Sequence, residues 1–322
     1  MSTFLRVRVS LPHPSLDHRV LASPARGRYD NRWAPSHRRR QRRQVSIVNP
    51  LDPVKLKAQK TYNLASGHFD ASPLGFWARY GQQTVERLAL NLGANILDVA
   101  CGTGASALPA AEAVGPTGRV IGVDLADQLL ALGREKAKQQ GLTNIEFLQA
   151  DMTELGYPDA YFHAVICVFG VFFVPHMESL VAELWRMVQP GGKLAVTTWG
   201  PRIFAPAYEV WNEAVRKVRP DLYAAYNPWD RITTPDAVRT LFHRAGVPNV
   251  EVEPEDGYQP LASPGDFWTI VLGSGLRWTV DQLGPHLAEQ VKHDVVEWLV
   301  AHKVDRVETN VIYAVATRGP TG

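Results

Sequence analysis

Short apolar runs alternate with amphipathic stretches along most of the chain after residue 83. Each run has the length of a buried β-strand, and the intervals between runs leave room for a crossover helix. Strands that are apolar on both faces and alternate with helices form parallel sheets that helices cover on both sides. The pattern predicts a doubly wound α/β fold with strands at Ile96–Val99, Val120–Val123, Ile145–Leu148, Ala164–Phe169 and Lys193–Thr198.

The helical period is clearest between residues 177 and 189. Apolar side chains recur there three or four residues apart, and Pro190-Gly191-Gly192 follows as a helix stop. Later in the chain the pattern predicts a helix at about 235–245 and two more strands, at Val250–Glu253 and Val307–Thr317. With these two strands we expect a mostly parallel, seven-stranded sheet.

Two stretches interrupt this alternation. Residues 201–232 are rich in proline and aromatic residues, whereas residues 264–304 look helical and contain three tryptophans. Both follow the fifth strand, so we expect them to form a helical cap over the carboxyl edge of the sheet. We therefore predict one domain at 45–322 that carries cap insertions at 201–232 and 264–304.

Residues 1–44 have a different composition from the rest. The first fifty residues contain eleven arginines, no lysine and only two acidic residues. Such a segment buries too little apolar surface to offset the entropy lost on ordering. Four interpretations remain open: a disordered basic tail, an organelle transit peptide, a nucleic-acid-binding arm, or an upstream region translated ahead of a true start near Val45 or Val48.

The chain after residue 50 carries a net charge of −7. An acidic body disfavours nucleic acid as the main partner. The longest apolar run, Ala164 to Pro175, is far shorter than the ~20 residues of a membrane span. Cys101 and Cys167 lack the spacing of a zinc site, so we expect no metal. These features favour a soluble, cytoplasmic protein, or an imported one if residues 1–44 are a transit peptide, and leave the oligomeric state open.

The segment from Ile96 to Ala105 contains the most specific chemistry. An apolar strand ends in a carboxylate, and a tight Gly-x-Gly turn follows that presents backbone amides at the start of a helix. Gly102 and Gly104, with an acid twenty residues later, also satisfy a relaxed dinucleotide fingerprint. However, Asp98 lies where the phosphates of a dinucleotide must approach. A carboxylate there repels phosphate and attracts an ammonium or a sulfonium.

Two further carboxylates follow the next two strands. Asp124 lies 26 residues after Asp98, and Asp151 lies 27 residues after Asp124. The oxygens of Asp124 can accept both hydroxyls of a ribose, and Asp151 beside a free amide can pair with the edge of an adenine. We expect the three carboxylates to face one crevice at the carboxyl edge of the sheet.

These motifs resemble those of class I S-adenosylmethionine-dependent methyltransferases, and most of all the ubiquinone/menaquinone biosynthesis C-methyltransferases and related small-molecule enzymes. The resemblance implies a Rossmann-like methyltransferase fold. Two positions depart from the family pattern: Ala100 replaces its first glycine, and Phe162-His163 replaces a Phe-Asp pair. The matching stretches are Ile96–Ala105, Val120–Leu130, Phe147–Met152, Phe162–Phe169 and Val188–Thr198.

By this resemblance the cofactor is S-adenosyl-L-methionine. Asp98 would orient its ammonium and Asp124 would bind its ribose. The other implied contacts are Ala100, Gly102 and Gly104 with the methionyl portion, Leu125 with the face of adenine, Asp151 and Met152 with its edge, and the backbone of Val168 and Phe169 with the methionyl group. Asp151 as a helix N-cap and Leu125 as an ordinary core residue remain alternatives.

Methyl transfer from a sulfonium is an in-line displacement, so the protein mainly aligns the reactants and excludes water. A general base is needed only for some acceptors, and His176 has the best position for one after strand four. An ordinary histidine at a helix start is the alternative. Tyr62, Trp77 and Trp199 are the candidate contacts for a small, apolar or aromatic acceptor.

We therefore predict an enzyme that transfers a methyl group from S-adenosylmethionine to a small molecule. Two other functions remain open. One is a protein of this fold that holds the cofactor without transferring the methyl group. The other is a nicotinamide-dependent oxidoreductase, which requires phosphate to tolerate Asp98. The sequence leaves open whether oxygen, nitrogen or carbon is methylated.

Overall fold

The computed structural model describes residues 52–223 and 227–319. The basic segment predicted at 1–44 lies outside these residues. The strands are β1 Asn95–Val99, β2 Arg119–Asp124, β3 Ile145–Gln149, β4 Phe162–Val168, β5 Val188–Trp199, β6 Val250–Glu255, β7 Tyr258–Pro260, β8 Arg306–Glu308 and β9 Val311–Thr317. The α-helices are α1 Pro53–Phe69, α2 Phe76–Leu88, α3 Ala107–Val114, α4 Asp127–Gln139, α5 Met177–Met187, α6 Ala207–Val218, α7 Pro235–Arg244, α8 Asp266–Leu272 and α9 Arg277–Ala301.

Seven strands form one sheet in the order β3-β2-β1-β4-β5-β9-β6. The strands from β1 to β5 pair in parallel, and β9 runs antiparallel between β5 and β6. This confirms the predicted doubly wound, mostly parallel sheet of seven strands. The strand order reverses between β1 and β4, so the chain crosses to opposite sides of the sheet after these two strands.

The central strand β1 is buried on both faces. Leu97 and Val99 belong to one hydrophobic cluster and Ile96 to a second one, because successive side chains of a strand point to opposite faces. Asp98 lies between Leu97 and Val99 in the sequence and pairs with Gly122 of β2 and Ile166 of β4. A carboxylate is thus built into the middle of an apolar sheet.

The structure changes the predicted bounds of one helix and one strand. The helix predicted to run to Gln189 ends at Met187, because Val188 already pairs with Phe162 as the start of β5. The predicted last strand, Val307–Thr317, is two strands rather than one. Thr309 and Asn310 separate the two strands. The side chain of Asn310 accepts a hydrogen bond from the amide of Gly257 and donates one to the carbonyl of Pro201.

The residues of the predicted cap lie beside the carboxyl ends of β4 and β5. Residues 201–232 contain α6, and residues 264–304 contain α8 and α9, of which α9 packs on α6 and both pack on α1. The first block reaches β5 where the Phe204 ring meets Trp199 at a centroid distance of 5.6 Å. Among the helices of the described residues, none is both long and apolar enough to cross a membrane.

Tyr80 connects α2 to Thr309, in the segment between β8 and β9. Its ring is fully buried, and its hydroxyl donates to the carbonyl of Thr309 at 2.6 Å. We expect Tyr80→Phe to lower the free energy of unfolding by about 1–3 kcal/mol, because the buried carbonyl loses its donor. Urea unfolding measures this change. Tyr161→Phe, at a more exposed ring, is the control, and equal midpoints for the two variants would contradict the prediction.

Candidate functional site

A cavity of about 870 Å³, partly open to solvent, lies at the carboxyl ends of β1, β2, β3 and β4. The turn after β1 forms its floor, and α1 forms its roof. This first cavity is lined by Ala100, Cys101, Gly102, Ala105, Ser106, Val123, Asp124, Leu125, Ala126, Leu129, Ala150, Met152, Val168, Phe169, Phe173, Trp77, and by Ala58, Gln59, Tyr62 and Phe69 of α1.

The turn after β1 has an unusual backbone. Ala100 and Gly102 both adopt left-handed conformations, with φ of 58° and 54°. Glycine adopts this region freely, which explains the glycine expected at position 100, whereas alanine is strained there. The methyl group of Ala100 fits because Gly170 faces it: a Cβ at position 170 would lie 2.5 Å from that of Ala100.

Asp98 lies behind this turn. Its side chain is fully buried; Ser106 Oγ donates to its Oδ2 at 2.7 Å, and its Oδ1 has no hydrogen-bond partner among the described residues. Burial raises the pKa of the Asp98 carboxyl to about 7. The hydrogen bond from Ser106 lowers this pKa, whereas the negative charge of Asp124 raises it further. Asp98 does not border the cavity itself; Ser106 stands between them.

Asp124 ends β2 and borders the cavity directly. Its Oδ2 accepts from the amide of Gly102 at 2.9 Å, and its Oδ1 accepts from the amide of Ala126 at 2.8 Å. Burial raises the pKa of Asp124, although these amides favour its charged form. Each oxygen can accept a further hydrogen bond from a ligand, because a carboxylate oxygen has two lone pairs.

Asp151 is engaged elsewhere. Lys55 Nζ donates to its Oδ2 at 2.7 Å, and Thr153 donates twice to its Oδ1. Burial alone would raise the pKa of Asp151, but the hydrogen bonds and charge of Lys55 and the bonds from Thr153 hold it below its ordinary value. The carboxylate expected at the edge of an adenine therefore does not line the cavity, although its neighbours Ala150 and Met152 do.

The roof helix α1 is attached by polar side chains four residues apart. Lys55 reaches Asp151, Gln59 donates to the carbonyl of Leu125 at 3.1 Å, and Asn63 donates to Asp127 at 2.8 Å. Sequence reasoning missed Ala58 and Gln59 as cavity residues. The helix start at Asp52-Pro53 was the available signal: an Asp whose side chain accepts from the next amides, followed by proline in the first turn.

A second cavity of about 410 Å³, also partly open to solvent, adjoins the first. Tyr62, Trp77 and Phe169 line both cavities. Trp199 lines the second and stacks on Phe169, with ring centroids 4.0 Å apart. The remaining lining residues are Phe172, Ile203, Phe204, Tyr208, Trp229, Ser274, Gly275 and Leu276.

Most of the predicted site residues come together here. The first cavity alone is lined by six of them: Ala100, Gly102, Asp124, Leu125, Met152 and Val168. Both cavities are lined by Tyr62, Trp77 and Phe169, and Trp199 lines the second. Gly104 is buried beneath the turn, with a φ of 90°, and does not line either cavity.

His176 does not reach the site. It is exposed at the N-terminus of α5 and borders neither cavity. The structure therefore does not place His176 where a general base for the acceptor would have to lie. No group of His, Cys, Asp and Glu in the described residues is arranged to hold a metal ion.

Comparison with known proteins identifies the family. The model of the ubiE/COQ5 methyltransferase family matches residues 71–227. A demethylmenaquinone methyltransferase of Listeria welshimeri is 34% identical over 170 residues, which are 51% of this chain and 71% of the relative. The chain belongs to the ubiE/COQ5 methyltransferase family.

Other relatives agree with this membership. The ubiquinone/menaquinone biosynthesis C-methyltransferase UbiE of Pseudomonas putida is 32% identical over 157 residues, which are 48% of this chain and 60% of that enzyme. This member of the ubiE/COQ5 family is therefore an enzyme that transfers a methyl group to a small molecule. The comparisons support neither a binding-only protein nor a nicotinamide-dependent oxidoreductase.

Solved structures share the fold. The [4+2]-cyclase SpnF has a TM-score of 0.55 at 20% identity and aligns over 84% of this chain and 98% of its own. Phosphoethanolamine N-methyltransferase 2 of Haemonchus contortus, solved with S-adenosylhomocysteine, has a TM-score of 0.51 at 16% identity, over 84% of this chain and 61% of its own. A cyclase on this fold shows that fold alone does not set the reaction.

The raised pKa of the Asp98 carboxyl predicts that ionisation of this group at high pH lowers the free energy of unfolding of the ligand-free protein. The unfolded chain ionises this group near pH 4 and the folded chain near pH 7, so its contribution to stability falls as the pH rises through that window. We expect Asp98→Asn to be more stable than the parent protein at pH 8, by on the order of 1–4 kcal/mol at about 1.4 kcal/mol per pKa unit, and nearly equal at pH 4.

Urea unfolding of the ligand-free protein at the two pH values measures this difference. Asp236→Asn is the matched control, because the Asp236 side chain is 92% exposed and should show no such pH-dependent gain. An Asp98→Asn variant that is less stable than the parent protein at pH 8 would contradict the prediction.

Proposed function

We propose that the first cavity binds S-adenosylmethionine and that the second cavity binds the methyl acceptor. One observation supports this division above all: Tyr62, Trp77 and Phe169 line both cavities. Methyl transfer requires the acceptor to lie directly beside the sulfur, in line with the bond that breaks. A shared wall between a cofactor cavity and an acceptor cavity meets this requirement.

The residues around the first cavity fit a molecule that has a cation at one end and a nucleoside at the other. The unpartnered Oδ1 of Asp98 is a buried negative atom behind Ser106, and a positively charged ammonium would compensate it. Asp124 has lone pairs free for the ribose hydroxyls. Leu125, Ala150 and Met152 offer an apolar place for adenine.

When bound, S-adenosylmethionine supplies a methyl group on a positively charged sulfur, and the electron pair of the S–CH₃ bond stays with the sulfur as the methyl bonds to the acceptor. The rings of Trp77 and Phe169 would face this charge from the shared wall, where an aromatic face attracts a cation. The roof helix α1 would exclude water from the same place.

The names of the relatives favour a quinone-type ring as the acceptor, because the first of them is a demethylmenaquinone methyltransferase. Within the described residues, the second cavity is lined by no histidine, carboxylate or amine that could take a proton from such a ring. Burial raises the pKa of both Tyr62 and Tyr208, so both phenols keep their protons at neutral pH, and His176 is remote. The acceptor must therefore be an intrinsically good nucleophile, and it would release its proton to water.

The affinity for S-adenosylmethionine should depend on the charge of Asp98. As the pH falls through about 7, the carboxyl takes up a proton and can no longer compensate the ammonium. We expect the dissociation constant of the parent protein to rise between pH 7.5 and 5.5, by up to about tenfold per pH unit. Asp98→Asn should bind at least about tenfold more weakly at pH 7.5 and lack this dependence.

Titration calorimetry measures these affinities directly, without an acceptor. Asp236→Asn should keep the parent profile, because its carboxylate is remote and exposed. Unchanged affinity in Asp98→Asn at pH 7.5, with the fold intact by circular dichroism, would rule out the assigned position of the ammonium.

Trp199 allows a test of the division between the two cavities, because it lines the second cavity and not the first. We expect Trp199→Phe to raise the KM for the acceptor severalfold, since the smaller ring leaves the wall incomplete. The affinity for S-adenosylmethionine should stay within about twofold. Initial rates with varied acceptor and a separate calorimetric titration measure the two effects. A collapse of cofactor affinity at an unchanged melting temperature would place Trp199 in the cofactor site instead.

A further inference from the structure

We propose that Gln59, on the roof helix α1, binds the 6-amino group of the adenine of S-adenosylmethionine, a role that the resemblance gave to Asp151. This inference deepens the proposed function and rests on its assignment of the first cavity to the cofactor. Gln59 precedes residues 71–227, which the family model matches, so that match does not by itself assign this contact.

The carboxylate of Asp151 belongs to a closed network with Lys55 and Thr153. Lys55 Nζ donates to Asp151 Oδ2 at 2.7 Å and to Thr153 Oγ1 at 2.8 Å. Thr153 donates to Asp151 Oδ1 through its amide and its hydroxyl, at 2.9 and 2.8 Å. The ion pair is partly buried, and Asp151 borders neither cavity. For an adenine to reach this carboxylate, the ion pair would have to open and leave a partly buried charge without its partner.

Gln59 lies one helical turn after Lys55 and borders the first cavity. Its Nε2 donates to the carbonyl of Leu125 at 3.1 Å. A carbonyl oxygen only accepts hydrogen bonds, so the amide nitrogen of Gln59 faces Leu125 and the amide oxygen points away from it. This Oε1 accepts no hydrogen bond from the described residues. Gln59 is therefore a fixed side chain with a free acceptor at the cavity.

Gln59 also stands beside the apolar place assigned to adenine, because its partner Leu125 belongs to that place with Ala150 and Met152. Among the described residues that line the first cavity, only Gln59 and Asp124 carry a carbonyl or carboxylate oxygen in the side chain. The proposed function uses Asp124 for the ribose. The 6-amino group of adenine is a hydrogen-bond donor, and its burial without an acceptor is costly. Gln59 supplies this acceptor from the roof of the cavity.

Two ligands that differ at one position of the base test this inference. S-inosylhomocysteine carries a carbonyl oxygen at position 6 of the base, where S-adenosylhomocysteine carries the amino group. This oxygen only accepts hydrogen bonds, so it cannot pair with Oε1 of Gln59. Titration calorimetry with the full chain gives the dissociation constant of each ligand without a methyl acceptor. We expect the parent protein to bind S-adenosylhomocysteine at least about tenfold more tightly than S-inosylhomocysteine.

Gln59→Met keeps a side chain of similar length and removes the acceptor. We expect this variant to bind the two ligands within about twofold of each other, mainly because it binds S-adenosylhomocysteine about tenfold more weakly than the parent protein does. If Gln59 served only to attach α1, the variant would instead weaken both ligands by the same factor and leave their ratio unchanged. The ratio of the two dissociation constants is thus the decisive measurement, and circular dichroism checks that the fold is intact.

Gln149→Met is the matched control. The Nε2 of Gln149 donates to the same carbonyl of Leu125, at 2.9 Å, but Gln149 is exposed and borders neither cavity. This variant should keep the ratio of the parent protein. Asp151→Ala should keep it as well, because Gln59 and Asn63 still attach α1 to the body.

The inference fails if Gln59→Met keeps the ratio of the parent protein, or if the parent protein shows no preference between the two ligands. Loss of the preference in Asp151→Ala also overturns it, because the carboxylate would then leave Lys55 on binding and contact the base. Loss of the preference in Gln149→Met overturns it too, because the hydrogen bond to Leu125 would then set the ratio without a contact to the ligand. A parent protein that binds neither ligand would instead refute the assignment of the first cavity, and this inference with it.

Discussion

The reversal of strand order between β1 and β4 is the constraint on which the rest of the structure depends. Because the connections after these two adjacent strands leave on opposite sides of the sheet, no crossover covers the space above their carboxyl ends. The turn from Ala100 to Ser106 and the backbone at Val168 and Phe169 border that space. Every other element of the site, including α1 and the cap, closes a crevice that the topology had already opened.

A buried carboxylate at this point is costly for the protein on its own. Asp98 lies between the buried residues Leu97 and Val99, and its Oδ1 has no hydrogen-bond partner within the described residues. The strained backbone at Ala100 adds to this cost. Such features persist where they serve binding, and here they concentrate in the few residues that follow β1.

The strands were predictable because hydrophobic periodicity is local. The residues from Ile96 to Val99 are buried in the sequence pattern and in the structure alike, and the acids at positions 98 and 124 follow from the strand ends. Distant pairings were not predictable. Lys55 pairs with Asp151 from 96 residues away in the sequence. Helix α1 lacks a strong apolar stripe and is attached partly by polar hydrogen bonds, so the sequence pattern did not predict that it covers the cavity. The sequence pattern placed the start of α5 correctly at Met177, but it did not show that His176, just before this helix, is exposed and borders neither cavity.

The three side chains that line both cavities have a thermodynamic consequence. A ligand in one cavity that fixes the rings of Tyr62, Trp77 or Phe169 also fixes a wall of the other cavity, so the two binding equilibria share part of their ordering entropy. Whatever factor one ligand imposes on the affinity of the second, the second imposes on the first. On the proposed assignment of the two cavities, cofactor and acceptor occupancy would therefore be coupled through these three rings.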